Sequence, residues 1–223
     1  GPCAFMDTYN PETVFSSIDL QGRYAYFNQP GITKWNLARF AETLLPLIDE
    51  KKEKAIEIAK ETIENFSNLY RKLWLEMMRA KIGLFNEELN DEVLINDLLL
   101  WMKKNKADYT NTFCSLMNKN IKEEIIFEND DFIKWYNTWN IRLSRNKKNF
   151  DDALGLMNKN NPLIIPRNQK VEESLDAANN GNLKLVENLL KYLKNPYKNQ
   201  IGISAYQTIP KENEKRYKTF CGT

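Results

Sequence analysis

Histidine is absent from this 223-residue chain. That removes histidine-dependent triads, histidine metal sites and imidazole acid–base chemistry. Cysteine is scarce: Cys3, Cys114 and Cys221 lie far apart, and no CxxC pair exists. Such a set excludes a disulfide scaffold, is too small for a zinc site, and suits a reducing compartment. An excess of one charge is also lacking, with 32 Lys and Arg against 30 Asp and Glu. Whole-molecule attraction to nucleic acid or to a membrane surface is therefore not expected. The longest apolar run, "VLINDLLLWM" (Val93 to Met102), is too short and interrupted to span a bilayer. There is no secretory signal, glycine-rich phosphate loop, nucleophile elbow or HExxH zinc motif. Nor is there an initiator methionine: the chain opens "GPCAFMD", which reads as a cleavage scar or a piece of a longer protein. Any chemistry is left to carboxylates, Lys, Arg, Tyr, Ser, Thr or Cys, and no chemical centre is identifiable among them.

What remains is an ordinary globular composition, 42% hydrophobic and 28% charged, with strong helical periodicity. Residues 1–34 carry Pro11, Gly22, Pro30 and Gly31 and read as an irregular lead. From Trp35, an apolar face of Trp35, Leu37, Ala38, Ala41, Leu44 and Leu45 predicts a helix ending at Pro46. A second, long helix is expected over Glu50 to Ile82, with Ile56, Ile63, Phe66, Leu69, Leu73 and Met77 as its buried stripe. Gly83 is its natural C-cap. Further helices are expected at 91–104, 109–118, 129–145, 151–158, 168–179 and 182–194, the last stopped by Asn195-Pro196. No strand-like alternation is long enough for a sheet. The fold class is therefore all-α, in three parts: an irregular lead (1–34), a helical domain (35–195) and an irregular tail (196–223).

Each candidate functional feature has a plain structural counterpart. Asn90-Asp91, Asp130-Asp131 and Asp151-Asp152 stand where helices begin, and adjacent helical side chains diverge, so capping is favoured over metal binding. Trp74, Trp101, Trp135, Tyr136 and Trp139 recur at helical spacing and suit core packing. The basic, tyrosine-bearing stretch Lys191 to Lys218 could meet phosphates, but a solvated tail is the simpler reading. "AANNGNLKLVENLL" (Ala177 to Leu190) has the helix–turn–helix spacing of an ankyrin repeat, yet no second copy follows the roughly 33-residue period. A simple helical hairpin is expected. "DYTNTF" (Asp108 to Phe113) reads as a capped helix start, or as a polar network in which Asp108 and Asn111 pin this helix to a neighbouring catalytic lobe.

Several stretches, in order along the chain, carry a resemblance. "GRYAYFNQPGITKWNLARFAETLLPLI", "DYTNTFCSL", "NPLIIPRN" and "ANNGNLKLVENLLKYLKNPY", with a cysteine near the C-terminus, resemble the SelO family of protein adenylyltransferases. That resemblance implies a protein-kinase-like fold that binds ATP with Mg2+ and transfers AMP to hydroxyls of protein substrates. By the same likeness, "GPCAFMDTYNP" follows a DYG-type metal-binding motif whose glycine is Gly1. The metal-binding Asp, the nucleotide-binding lobe and the catalytic loop would precede this chain. The lead would then be an activation-type segment and the helices the C-terminal lobe, with Arg23, Asn28 and Gln29 orienting the segment beside the active site. No catalytic or metal-binding residue is expected within this chain. Protein substrates and the N-terminal catalytic lobe are the implied partners, and the bacterial cytoplasm or the mitochondrion the implied location. Cys221 is a candidate redox residue, although Phe15 stands where many relatives carry its cysteine partner. "PYKNQ" (Pro196 to Gln200) lacks the acids of the family's pattern, and Pro166 replaces a usual leucine. The competing expectation is a non-enzymatic helical module that binds a partner through its aromatic faces.

Overall fold

The computed structural model describes residues 5–118, 121 and 127–208. After a 3-10 turn at Tyr26–Asn28, the described helices are α1 (Gln29–Ile48), α2 (Lys52–Lys81), α3 (Asp91–Asn105), α4 (Tyr109–Ser115) and α5 (Asp130–Ser144). They are followed by α6 (Phe150–Asn160), α7 (Asn168–Asn179), α8 (Lys184–Leu193) and α9 (Ser204–Gln207). Among the described residues no strand forms. Their β-pairing is an isolated antiparallel bridge between Thr8 and Asp108. The all-α expectation holds.

Both ends of α1 differ from the sequence reading, and α4 stops at Ser115 rather than 118. α1 begins at Gln29, not Trp35, because Pro30 sits in the first turn, where a missing N–H is harmless and a fixed φ is already helical. Pro46 does not end α1; it lies in the last turn, where one lost backbone bond leaves the helix intact to Ile48. The expected irregular tail also contains the short helix α9.

The end of α2 is the centre of the packing. Gly83 adopts φ +77°, and a Cβ there would lie 3.0 Å from Met157 Sδ and 3.2 Å from Ala153 Cβ on α6. Glycine thus both reverses the chain and admits α6. Three carbonyls at this helix end find side-chain donors. Asn161 Nδ2 donates to Lys81 O (2.8 Å), Trp139 Nε1 to Ile82 O (2.9 Å) and Asn146 Nδ2 to Gly83 O (2.9 Å). The core forms around this knot, from Met78, Ile82, Leu98, Met102, Phe113, Phe132, Trp139 and Met157. Trp101, Trp135 and Trp139 are buried in it, as their spacing predicts, and the indole of Trp135 stacks on that of Trp139 at 5.8 Å.

Capping is more specific than expected. Asn129 and Asn149, not the aspartates after them, accept the capping bonds, from Phe132 N (3.2 Å) and Asp152 N (2.9 Å). Asp130, Asp131, Asp151 and Asp152 occupy first turns, where the helix dipole favours them. Asp91 is buried and carries more than a cap. Its carboxylate accepts from Glu88 N (2.8 Å) and from Arg142 Nε (2.6 Å), tying α3 to α5. α7 and α8 form the expected hairpin, turned at Gly181 with φ +80°.

The stripe assigned to the buried side of α2 is not covered along its length. Leu69, Leu73 and Met77 remain 50%, 52% and 44% exposed. The described core reaches α2 chiefly through Leu75, Met78 and Ile82, one helical face away. Together with Leu37, Phe40 and Leu47 on α1, this leaves the hairpin with wide bare apolar surface.

Candidate functional site

The start of the lead is joined to the helical body at α4, and the join begins with backbone pairing. Tyr109 N donates to Asp7 O (2.8 Å) and Tyr9 N to Ala107 O (2.9 Å), flanking the Thr8–Asp108 bridge. Tyr9 stacks on Tyr109 with ring centroids 5.8 Å apart, and Tyr26 meets Tyr9 edge-on at 6.2 Å. Burial raises the phenol of Tyr9 to about 12 and that of Tyr109 well above its ordinary range, so both remain neutral donors at physiological pH.

Beneath the bridge lies a buried ionic cluster. Arg167 Nη1 donates to Asp7 Oδ1 (2.6 Å) and Asp108 Oδ2 (2.8 Å). Its Nη2 donates to Asp108 Oδ1 (3.1 Å) and Asn111 Oδ1 (3.2 Å). Asp108 also caps α4, accepting from Asn111 N at 2.6 Å. Asn111 Nδ2 donates to Gln207 O (3.0 Å), which draws in α9. Arg167 is 1% exposed, Asp7 7% and Asp108 4%. Burial pushes the Asp108 carboxyl up from its ordinary value, and the Arg167 guanidinium opposes this. The cap expected at "DYTNTF" is present, and Asp108 and Asn111 also enter a polar network whose described partners, Asp7 and Arg167, belong to this chain.

Arg23, Asn28 and Gln29 form a separate, exposed group at the second half of the lead. Asp19 accepts from the backbone N–H of Arg23 (2.9 Å) and of Tyr24 (2.8 Å). Asn28 Nδ2 donates to Gly22 O (2.8 Å) and Gln29 Nε2 to Tyr24 O (3.1 Å), closing the turn that feeds α1. The Arg23 guanidinium lies over the Trp35 ring at 4.9 Å, and Arg39 reaches the same ring at 5.6 Å. The structure brings these three residues to one turn and does not join them to Asp108 and Asn111. Cys221 lies outside the described residues.

A cavity of about 690 Å3 opens between the lead, α1, α2 and α4. Phe5, Phe15, Tyr26, Gln29, Tyr70, Trp74, Tyr109 and Phe113 are among its walls. Lys81 lines it, a residue only 8% exposed that carries a buried amine. It donates to Asn160 O at 3.3 Å and rests over the rings of Phe113 (4.5 Å) and Tyr109 (5.6 Å). Among the described residues no carboxylate pairs with it. Burial pulls its pKa down to about 8. The neighbouring Cys114 thiol, bonded to Pro162 O at 3.3 Å, is pushed up to about 11 by burial, so it is not a reactive thiolate.

Sequence reasoning missed Asp7, Arg167 and Lys81. Each basic residue interrupts an apolar run, "PLIIPR" and "MMRAKIGL". A charge set in such a run is a candidate for burial. Among the described residues no three Cys, Asp or Glu side chains gather as a metal-holding group. No described helix is long and apolar enough to cross a membrane.

An all-α body with a pinned N-terminal segment defines an architecture rather than a reaction, and comparison with known proteins supplies the class. The family model described as "Protein adenylyltransferase SelO" matches residues 1–194. Proteins named protein nucleotidyltransferase YdiU are similar over the whole chain. They include those of Pelagibacter ubique, 52% identical over 223 residues, and Clostridium perfringens, 50% identical over 223 residues. That of Brevibacillus brevis is 51% identical over 224 residues. In each case the match covers 100% of this chain and 46% of the relative. The chain therefore belongs to the SelO family of protein adenylyltransferases. It spans about half the length of the curated relatives it matches.

Proposed function

We propose that this chain is the helical C-terminal portion of a longer protein adenylyltransferase with a kinase-like fold. The reaction is attack of a Ser, Thr or Tyr hydroxyl oxygen of a protein substrate on the α-phosphorus of ATP. The new O–P bond forms as the bond to the β-phosphate bridge breaks; pyrophosphate leaves and the hydroxyl proton passes to a base. ATP and Mg2+ are assigned to the remainder of the longer protein. The described residues offer one buried amine and no group of three carboxylates, and the Asp7 and Asp108 pair is already held by Arg167, a donor set that does not fit a metal–nucleotide site. On this reading the protein works in the bacterial cytoplasm, or in the mitochondrion of a eukaryote.

The role of this portion is positional. Arg23, Asn28 and Gln29 shape the turn that closes the lead, and the Asp7–Arg167–Asp108 cluster locks the start of the lead to α4. That cluster is the observation that carries the proposal. A buried arginine holding two carboxylates from distant parts of the chain fixes a segment in one place. The test incubates the longer protein with protein substrate and ATP labelled at either the α- or the γ-phosphate. Label from the α position, and none from the γ position, should stay on protein. Transfer of γ label, or no transfer, would refute the assignment.

A further inference from the structure

The cavity beside Lys81 has an unbalanced feature. Its walls are rich in aromatic rings, and among the described residues its buried cation, Lys81, has a carbonyl and two ring faces for company but no anion. An ammonium group buried without a counter-charge is a poor end state, and such groups are ordinarily paired. The mouth is continuous with the bare apolar face of α2, where Tyr70, Leu73 and Met77 stay exposed. More than half the length of the relatives lies outside the matched stretch, because the match covers 46% of each.

We propose that this cavity receives an acidic side chain, flanked by apolar residues, from the remaining half of the longer protein, and that its carboxylate pairs with Lys81. The proposal rests on the reading above that this chain is part of a longer enzyme. The apolar flanks cover Tyr70, Leu73 and Met77, and the acid enters beside Phe113 and Tyr109. Among the described residues, the other titratable groups that line the cavity or neighbour the amine are Cys114 and the phenols of Tyr26, Tyr70 and Tyr109, each neutral at pH 7, so none of these competes for it.

The test uses the longer protein and reads the Lys81 amine directly. Acetic anhydride labelling across pH, followed by peptide mass spectrometry, gives the midpoint at which the amine becomes reactive. Pairing with a carboxylate moves that midpoint from about 8 to above 10. The neutral fraction at pH 8 then falls at least about fifty-fold. Coupling with a water-soluble carbodiimide should join Lys81, with loss of water, to an Asp or Glu outside these 223 residues. A midpoint remaining near 8, or coupling to a carboxylate inside this stretch, would overturn the proposal. So would protection of the amine by free 1-naphthoate, which would mark the cavity as a small-anion site. AMP transfer is scored separately, so a coupled but inactive protein would sink the enzymatic assignment and leave the docking site standing.

Discussion

Arg167 carries a concentrated burden. It neutralises two carboxylates that have almost no access to water, and either would be stranded without it. Arg167→Met should therefore lower folding stability by about 3–5 kcal/mol, measured by urea unfolding. A loss under ~1 kcal/mol would mean the carboxylates are solvated or protonated. Lys81 has the opposite character, since burying its charge opposes folding. The unfolded chain holds that proton up to 10.5 and the folded one only to about 8. Between those values the unfolded state binds more protons, so stability rises with pH. In the 223-residue chain, Lys81→Met should be more stable than the parent at pH 7, by on the order of 3 kcal/mol less the lost hydrogen bond. The advantage should shrink from pH 8 and vanish above 10.5. A pH-independent difference would exclude the mechanism. Asp108 and Asn111 were legible in the sequence because a cap and its polar first turn are local. Arg167 was not: its partners lie 59 and 160 residues away, beyond the reach of spacing arguments.

At the scale of elements, the end of α2 is the most constrained join. Gly83→Ala introduces a Cβ into a left-handed backbone and onto Met157 and Ala153, and should cost about 2 kcal/mol or more in thermal unfolding. Trp139→Phe keeps most of the packing but orphans the Ile82 carbonyl, and should cost about 1–3 kcal/mol. The bare face of α2 should behave differently. Leu73→Gln or Met77→Gln should change the stability of this chain by less than about 1 kcal/mol, because about half of each residue stays exposed here. Helix periodicity located every long element, as it depends only on neighbours three and four residues apart. It misjudged the start of α1 because Pro30-Gly31 looks like a turn until proline's preference for a first helical turn is weighed. It marked the α2 stripe as apolar but could not name what covers it, since a stripe records the wish for a partner and not the partner's chain.

At the scale of the whole molecule, the parts agree on a platform. A knot of side chains around the end of α2 fixes the helical core. The bridge, the tyrosine stack and the Arg167 cluster then fix the lead to that core. The family's reaction was legible only through the ordered resemblance of whole stretches. The central claim is that this body holds the lead in register for AMP transfer carried out elsewhere in the longer protein. It is tested most directly by steady-state AMP transfer in that protein carrying Arg167→Lys, which keeps the charge and loses the forked contact to Asp7 and Asp108. The account predicts kcat reduced at least about tenfold, with KM for ATP unchanged and cooperative unfolding retained. A folded Arg167→Lys protein with the parent's kcat would contradict it.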